Sequence, residues 1–188
     1  MVTLATYSLT PDWSDNPNPL ICQDGQFPNV TGWCKGAKFT GTVRANDPNA
    51  GQWDAAYDIW FDRAANTTTR NNALEMMIWL NSTGVQPIGS QVDTATLAGA
   101  TWQVWYAPGA SPPVITFRRQ PTTTSMPLFD IKTFMTDAMS RNASTGRKPA
   151  NGNPALNTAW FLTSVQAGFE LWKGGAGAAG VNFGVSVN

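Results

Sequence analysis

The sequence predicts an all-β fold, a sandwich or jelly roll of two stacked antiparallel sheets with one short α-helix packed outside. Three observations carry that prediction. From Ala37 onward, short runs of β-type residues recur between turn-forming Gly, Pro, Asn and Ser. Only one segment repeats its apolar residues at helical spacing. Charged residues are 13% of the chain, about half the usual share for a soluble domain. The surface must then be built from Thr, Ser, Asn, Gln and Gly, a composition common in β-proteins whose ligands are uncharged.

Taken in order, residues 1–35 are rich in Pro, Asn, Asp and Gly and read mostly as loop. KFTGTVRA at 38–45 is the first strand. AAYDIWFD at 55–62 is the next, its alternation separating Asp58, Trp60 and Asp62 from Tyr57, Ile59 and Phe61. ALEMMIWL at 73–80 puts Leu74, Met76, Ile78 and Leu80 on a plain core face and Glu75, Met77 and Trp79 on the other. TWQVWYA at 101–107 and PVITFRR at 113–119 follow. Ile131, Phe134, Met135 and Ala138 then recur at helical spacing, with Asp130 near the start and Arg141 at the end. Residues 130–141 are therefore expected to form the single helix, lying on the outside of a sheet. WFLTSVQAGFELW at 160–172 and VNFGVSV at 181–187 are the last strands. GGAGAAG at 174–180 reads as a turn and not as a phosphate loop, since no basic side chain follows it and no helix pattern opens from it. No repeat or linker interrupts the series, and 188 residues suit one domain with a real core.

Composition narrows the function. Formal net charge is zero, so nothing draws a phosphate backbone or anionic lipid; neither nucleic acid nor membrane is an expected partner. No apolar run is long enough to cross a bilayer. The chain has no histidine, which removes Ser-His-Asp and Cys-His catalysis, histidine metal sites and histidine pH switches together. Cys22 and Cys34 are too few and too far apart for a zinc knuckle. Their flanks, ICQDGQ and GWCKG, are loop-like and point to a disulfide formed in an oxidising compartment. Sequons at Asn29, Asn66, Asn81 and Asn142 permit export and glycosylation. Residues 1–20 lack the basic start and apolar core of a signal peptide.

The most informative feature is a scarcity. Glutamate occurs only at Glu75 and Glu170, each inside a strongly apolar β-run. Glu is a poor strand residue, and a carboxylate turned toward a sheet interior is costly unless the site uses it. A single such glutamate would more often face solvent on an alternating strand; two, with no others in the chain, point to function. Alternation puts Gln166, Gly168, Glu170 and Trp172 on one face, with Gly168 leaving room for a ligand. Three strands thus each place an acid two residues from a large flat side chain. The chemistry that needs paired carboxyls is glycosidic cleavage: one acid protonates the leaving oxygen while a second, ionised, attacks or activates water. A third carboxylate such as Asp58 can raise one pKa or share a proton. Indole faces stack on the C–H faces of pyranose rings, and the nine tryptophans divide between core and cleft.

These residues resemble glycoside hydrolase family 12, the compact endoglucanases and xyloglucanases. ALEMMIWL matches the family's E-x-M-I-W nucleophile strand at Glu75, Met77 and Trp79. QPIGS, with Pro87, follows it, and LTSVQAGFELW matches the G-x-E acid/base strand at Glu170. YDIW places Asp58 where the family carries an Asp beside the nucleophile. The resemblance runs from about residue 38 to 188. It implies a β-jelly roll whose concave sheet forms an open cleft, and retention of configuration with no cofactor and no metal. It also implies Glu75 as nucleophile, Glu170 as general acid/base and Asp58 as the tuning residue. Trp60, Met77, Trp79, Pro87, Gln166 and Trp172 would bind substrate. A secreted, extracellular, monomeric endo-acting hydrolase of β-1,4-linked or mixed-linkage β-glucan is the activity so implied. A xyloglucan-specific enzyme of the same fold and a non-catalytic, lectin-like glucan-binding jelly roll stay open beside it. The chain departs from the family in one place: the N-N-x-W-G stretch of the outer strands is missing, and only Trp13 or Trp33 stands in that region.

Overall fold

A computed structural model describes residues 7–8, 38–45, 51–64, 73–173 and 178–186. Among these, a large sheet runs in the order Tyr7–Ser8 (β1), Phe161–Lys173 (β9), Gln52–Asp62 (β3), Leu74–Thr83 (β4), Val114–Gln120 (β7), Ala100–Ala107 (β6) and Ser90–Leu97 (β5). A small sheet runs Ala178–Ser186 (β10), Lys38–Ala45 (β2) and Ser125–Asp130 (β8), and one helix, α1, spans Lys132–Met139. All strand pairs are antiparallel except β4 with β7. Those two are neighbours in space but not in sequence. The chain leaves β4, builds the β5–β6 pair, and returns in the same sense, as parallel neighbours require.

One face of the large sheet is continuously apolar. Tyr57, Ile59 and Phe61 of β3, Leu74, Met76 and Ile78 of β4, Ile115 and Phe117 of β7, and Trp102 and Val104 of β6 are all buried in one cluster. The alternation read from the sequence is therefore the alternation of core and cleft. Phe134 anchors α1 to this face, its ring edge-on to Trp102 at 4.9 Å, to Phe117 at 5.2 Å and to Phe129 of β8 at 5.6 Å. Each such pair adds about 0.5–1.5 kcal/mol beyond the area it buries.

The helix is shorter than 130–141. Asp130 stands just ahead of it, its carboxylate accepting the Lys132 N–H at 2.8 Å. Arg141 lies beyond its end and is fully buried. The guanidinium pairs with Asp137 one turn back, reaches Asp93 on β5 at 2.9 Å, and donates to the Gly146 carbonyl at 3.1 Å. A residue read as a helix-end cation is thus a buried tie between helix, loop and sheet.

Other elements differ from expectation for identifiable reasons. β5 carries only modest apolar residues, Val92, Ala95 and Leu97, because it is an edge strand and half exposed. β8 contains Pro127, which cannot donate to a ladder and is tolerated because β8 edges the small sheet. β1 lies within the segment read as loop, and β10 begins at Ala178, inside the expected turn. Cys22, Cys34, Trp13, Trp33, Asn29 and Asn66 lie outside the described residues. No helix among the described residues is long and apolar enough to cross a membrane.

Candidate active site

β3 is the strand on which the site is built. It lies between β4 and β9, and its register sets which side chains meet: Asp54 opposite Glu170, Asp58 opposite Met77 and Gln166, and Trp60 opposite Glu75. Paired residues of neighbouring strands share a face, so Asp54, Asp58, Glu75 and Glu170 converge from three strands. Bulges flank this arrangement. Trp53 pairs with Leu171 and Gln52 with Lys173, which leaves Trp172 without a partner on β3; on the other side Leu80 is passed over between Trp79 and Asn81. Such bulges bend a strand and re-aim its side chains.

The convergence creates two adjoining cavities that share Glu75, Met77 and Glu170. The larger, about 540 Å³, also takes in Trp79, Gln86, Ile88 and Trp172. The smaller, about 350 Å³, is floored by Asp54, Asp58, Trp60, Gln166 and Gly168. A hollow of about 560 Å³ beside α1 contains Asp137, but that carboxylate is consumed by ion pairs with Arg141 and Lys148. The two cleft cavities, by contrast, combine facing carboxyls with aromatic walls.

Eight of the nine residues expected at the site line these two cavities: Asp58, Trp60, Glu75, Met77, Trp79, Gln166, Glu170 and Trp172. Pro87 does not. It is buried, and its neighbours Gln86 and Ile88 present themselves instead. Asp62, on the same strand face by alternation, is also buried and accepts the Ala64 N–H at 3.0 Å, a turn-closing role. The two named indoles differ sharply in setting. Trp172 is 55% exposed, whereas Trp79 is 3% exposed and packs against Ala56, Met77, Ala107 and Val114.

Asp54 is the residue that sequence reasoning missed. The expected strand began at residue 55; begun at 52, alternation would have set Asp54 with Ala56 and Asp58 on the cleft face. It is fully buried and neither of its oxygens finds a donor. Burial raises its pKa well above the ordinary 3.8, and the Glu170 carboxyl, opposite it in the register, raises it further. Asp58 is likewise raised, by burial first and by the Glu75 charge second; the Trp60 indole N–H, short of good hydrogen-bond geometry, pulls the other way. Its hydrogen bond to Glu75 also raises it, which makes Asp58 a neutral donor to the Glu75 carboxylate. Two carboxyls with raised pKa values thus each stand beside a glutamate.

Comparisons with known proteins place the chain in a family. A sequence profile of Glycosyl hydrolase family 12 matches residues 41–188. The probable cellulase Cel12b of Mycobacterium tuberculosis is 32% identical over 149 residues, covering 78% of this chain and 89% of that one. The xyloglucan-specific endo-beta-1,4-glucanase A of Aspergillus niger is 26% identical over 155 residues, covering 73% of this chain and 57% of its own length. Among solved structures, the endoglucanase cel12A of Rhodothermus marinus superposes with a TM-score of 0.73 at 33% identity, covering 100% of this chain and 84% of that one.

Proposed function

We propose, from the premise that this chain belongs to glycosyl hydrolase family 12, that Glu75 and Glu170 cut a β-1,4-linked glucan by double displacement. The chain is a glycoside hydrolase of the endoglucanase type, and a jelly roll with an open cleft suits attack within a polymer. One observation supports the residue roles above all others. The only two glutamates in the sequence line the same two cavities, reached from strands on either side of β3.

In this reading the Glu75 carboxylate attacks the anomeric carbon. The bond to the glycosidic oxygen breaks, and that oxygen takes the proton from Glu170. Water, giving its proton back to Glu170, then attacks the same carbon and releases Glu75. Asp58, neutral, donates to Glu75 and keeps it ionised and oriented. Asp54, buried opposite Glu170, favours keeping a proton on the pair for the first step. Trp172 and Ile88, exposed large apolar side chains, border the larger cavity, and the Trp172 indole offers flat contact to sugar rings. A polymeric substrate outside the cell makes export part of the reading, with a monomeric protein and a Cys22–Cys34 disulfide.

Barley β-glucan, carboxymethyl-cellulose and xyloglucan test it. Viscosity should fall early, before much reducing sugar appears. Release of only glucose or cellobiose at constant viscosity would refute endo action, and no cleavage would favour the lectin-like reading. Glu75→Gln and Glu170→Gln should each lower turnover by roughly a thousandfold with an unchanged circular dichroism spectrum. Near-normal turnover in either removes that residue from its role.

A further inference from the structure

Beside the two cavities the cleft face carries a polar strip that the reaction above does not use. Register fixes its members. β7 sets Thr116 beside Met77 and Arg118 beside Trp79, and β6 sets Trp105 beside Thr116 and Gln103 beside Arg118. Since Met77 and Trp79 line the larger cavity, their neighbours share the cleft face. The intervening residues point the other way: Ile115, Phe117 and Val104 lie in the core, and Arg119 lies over the Trp102 ring and donates to the Met126 sulfur.

Polar atoms of this strip are buried yet unpaired, although Gln103, Trp105 and Arg118 are themselves partly exposed. Thr116 is 1% exposed. Thr116 Oγ1, Trp79 Nε1, Trp105 Nε1, Gln103 Oε1 and Arg118 Nε are all buried without a hydrogen-bond partner. A buried orphan costs about 1–3 kcal/mol, and five of them on one face across three adjoining strands mark a surface whose partners arrive with a ligand. The set is rich in donors. Its cation is also uncompensated, because no ion pair among the described residues involves Arg118. The charges that act on Asp54 and Asp58 are those of the glutamates and of neighbouring carboxyls on β3, β4 and β9. A guanidinium left free in a saccharide cleft, with an indole N–H beside it, matches a carboxylate in bidentate geometry.

We propose that Arg118, flanked by Trp79 and Gln103, is a subsite for an acidic substituent, so that the cleft favours glucan chains bearing carboxylates, such as hexuronic acid branches, over neutral chains of the same backbone. The inference rests on the β-glucanase reading and deepens it. The zero net charge of the chain hides this local arrangement. Four carboxyls cluster on β3, β4 and β9, where an anionic branch would be repelled, and the free cation stands apart from them on β7.

Carboxymethyl-cellulose and hydroxyethyl-cellulose share a backbone and differ in the charge of the substituent. The ratio of kcat/KM on the first to that on the second should fall about fivefold in Arg118→Gln. Arg118→Lys should restore most of the ratio, and about 0.5 M salt should erase the difference between wild type and Arg118→Gln. An unchanged ratio in Arg118→Gln, or a fall equally large in Arg118→Lys and insensitive to salt, overturns the subsite. Binding of both polymers to a Glu75→Gln background, followed by tryptophan fluorescence, reads the same ratio without catalysis. If wild type cleaves neither polymer, the hydrolase reading fails, and the binding ratio still decides for or against Arg118.

Discussion

Asp54 and Asp58 link the chemistry of the cleft to the stability of the fold. Both have pKa values raised well above 3.8, with burial the largest cause. Between 3.8 and the raised value, the folded protein holds protons that the unfolded chain has already released. Stability is therefore greatest below that window and declines as pH rises through it. Asparagine keeps the shape and removes the charge that burial opposes. Asp54→Asn and Asp58→Asn should each raise Tm at about pH 7 relative to wild type and leave it nearly unchanged at about pH 3, where the wild-type carboxyls are largely protonated in both states. Equal shifts at both pH values, in thermal melts followed by circular dichroism, would show that these carboxyls titrate normally. Asp58→Asn should also lower turnover less than either glutamate change, since the asparagine amide can still donate to Glu75 and the nucleophile itself is kept.

Strand alternation is a reliable guide to facing, but it does not reveal how deeply each side chain is covered. It set Glu75, Met77 and Trp79 on one face because β4 keeps a strict period of two beside an unbroken core row of Leu74, Met76 and Ile78. It grouped Trp172 with Glu170, and the bulge opposite Gln52 and Trp53 leaves Trp172 projecting. The two indoles should therefore respond differently to truncation. Trp172→Ala should raise KM and leave Tm within a degree or two. Trp79→Ala should destabilise by about 3–5 kcal/mol, the usual cost of deleting a buried aromatic. Equal Tm losses in the two variants would contradict the packing described. Boundaries and edges were less legible. Asp54 was lost through a strand start placed three residues late, and β5 through the weak apolar signal of a half-exposed edge. Pro87 lay within a matching motif, yet the turn exposes its neighbours and buries the ring. Arg141 carries no sequence mark of burial, because its partners Asp93 and Gly146 are distant or supplied by backbone. Arg141→Met should cost about 3 kcal/mol by stranding Asp137 with only Lys148, or roughly 6–12 °C in Tm for a chain of this size. Activity at low temperature should persist, since the residue is remote from the cleft; a Tm unchanged within a degree would deny the network a structural role.

At the scale of the whole molecule, the fold separates two tasks between the two faces of one sheet. The core face joins the large sheet to α1 and to the small sheet through an aromatic cluster centred on Phe134. The opposite face is thereby free to carry buried carboxyls and unpaired polar groups that would destabilise a core. The register of β3 with its two neighbours, and the bulges at Trp172 and Leu80, bring Glu75 and Glu170 to shared cavities from separate strands. A double displacement through Glu75 is the central claim, and a trapped intermediate tests it most directly. A 2-deoxy-2-fluoro-β-cellobiosyl fluoride slows release of the glycosyl-enzyme, and peptide mass mapping locates the adduct. The account predicts a single fluorocellobiosyl group on the peptide that contains Glu75, with hydrolysis of natural glucan giving the β-anomer first. A label on Glu170 or any other residue, or active protein that takes no label and releases the α-anomer, would contradict it.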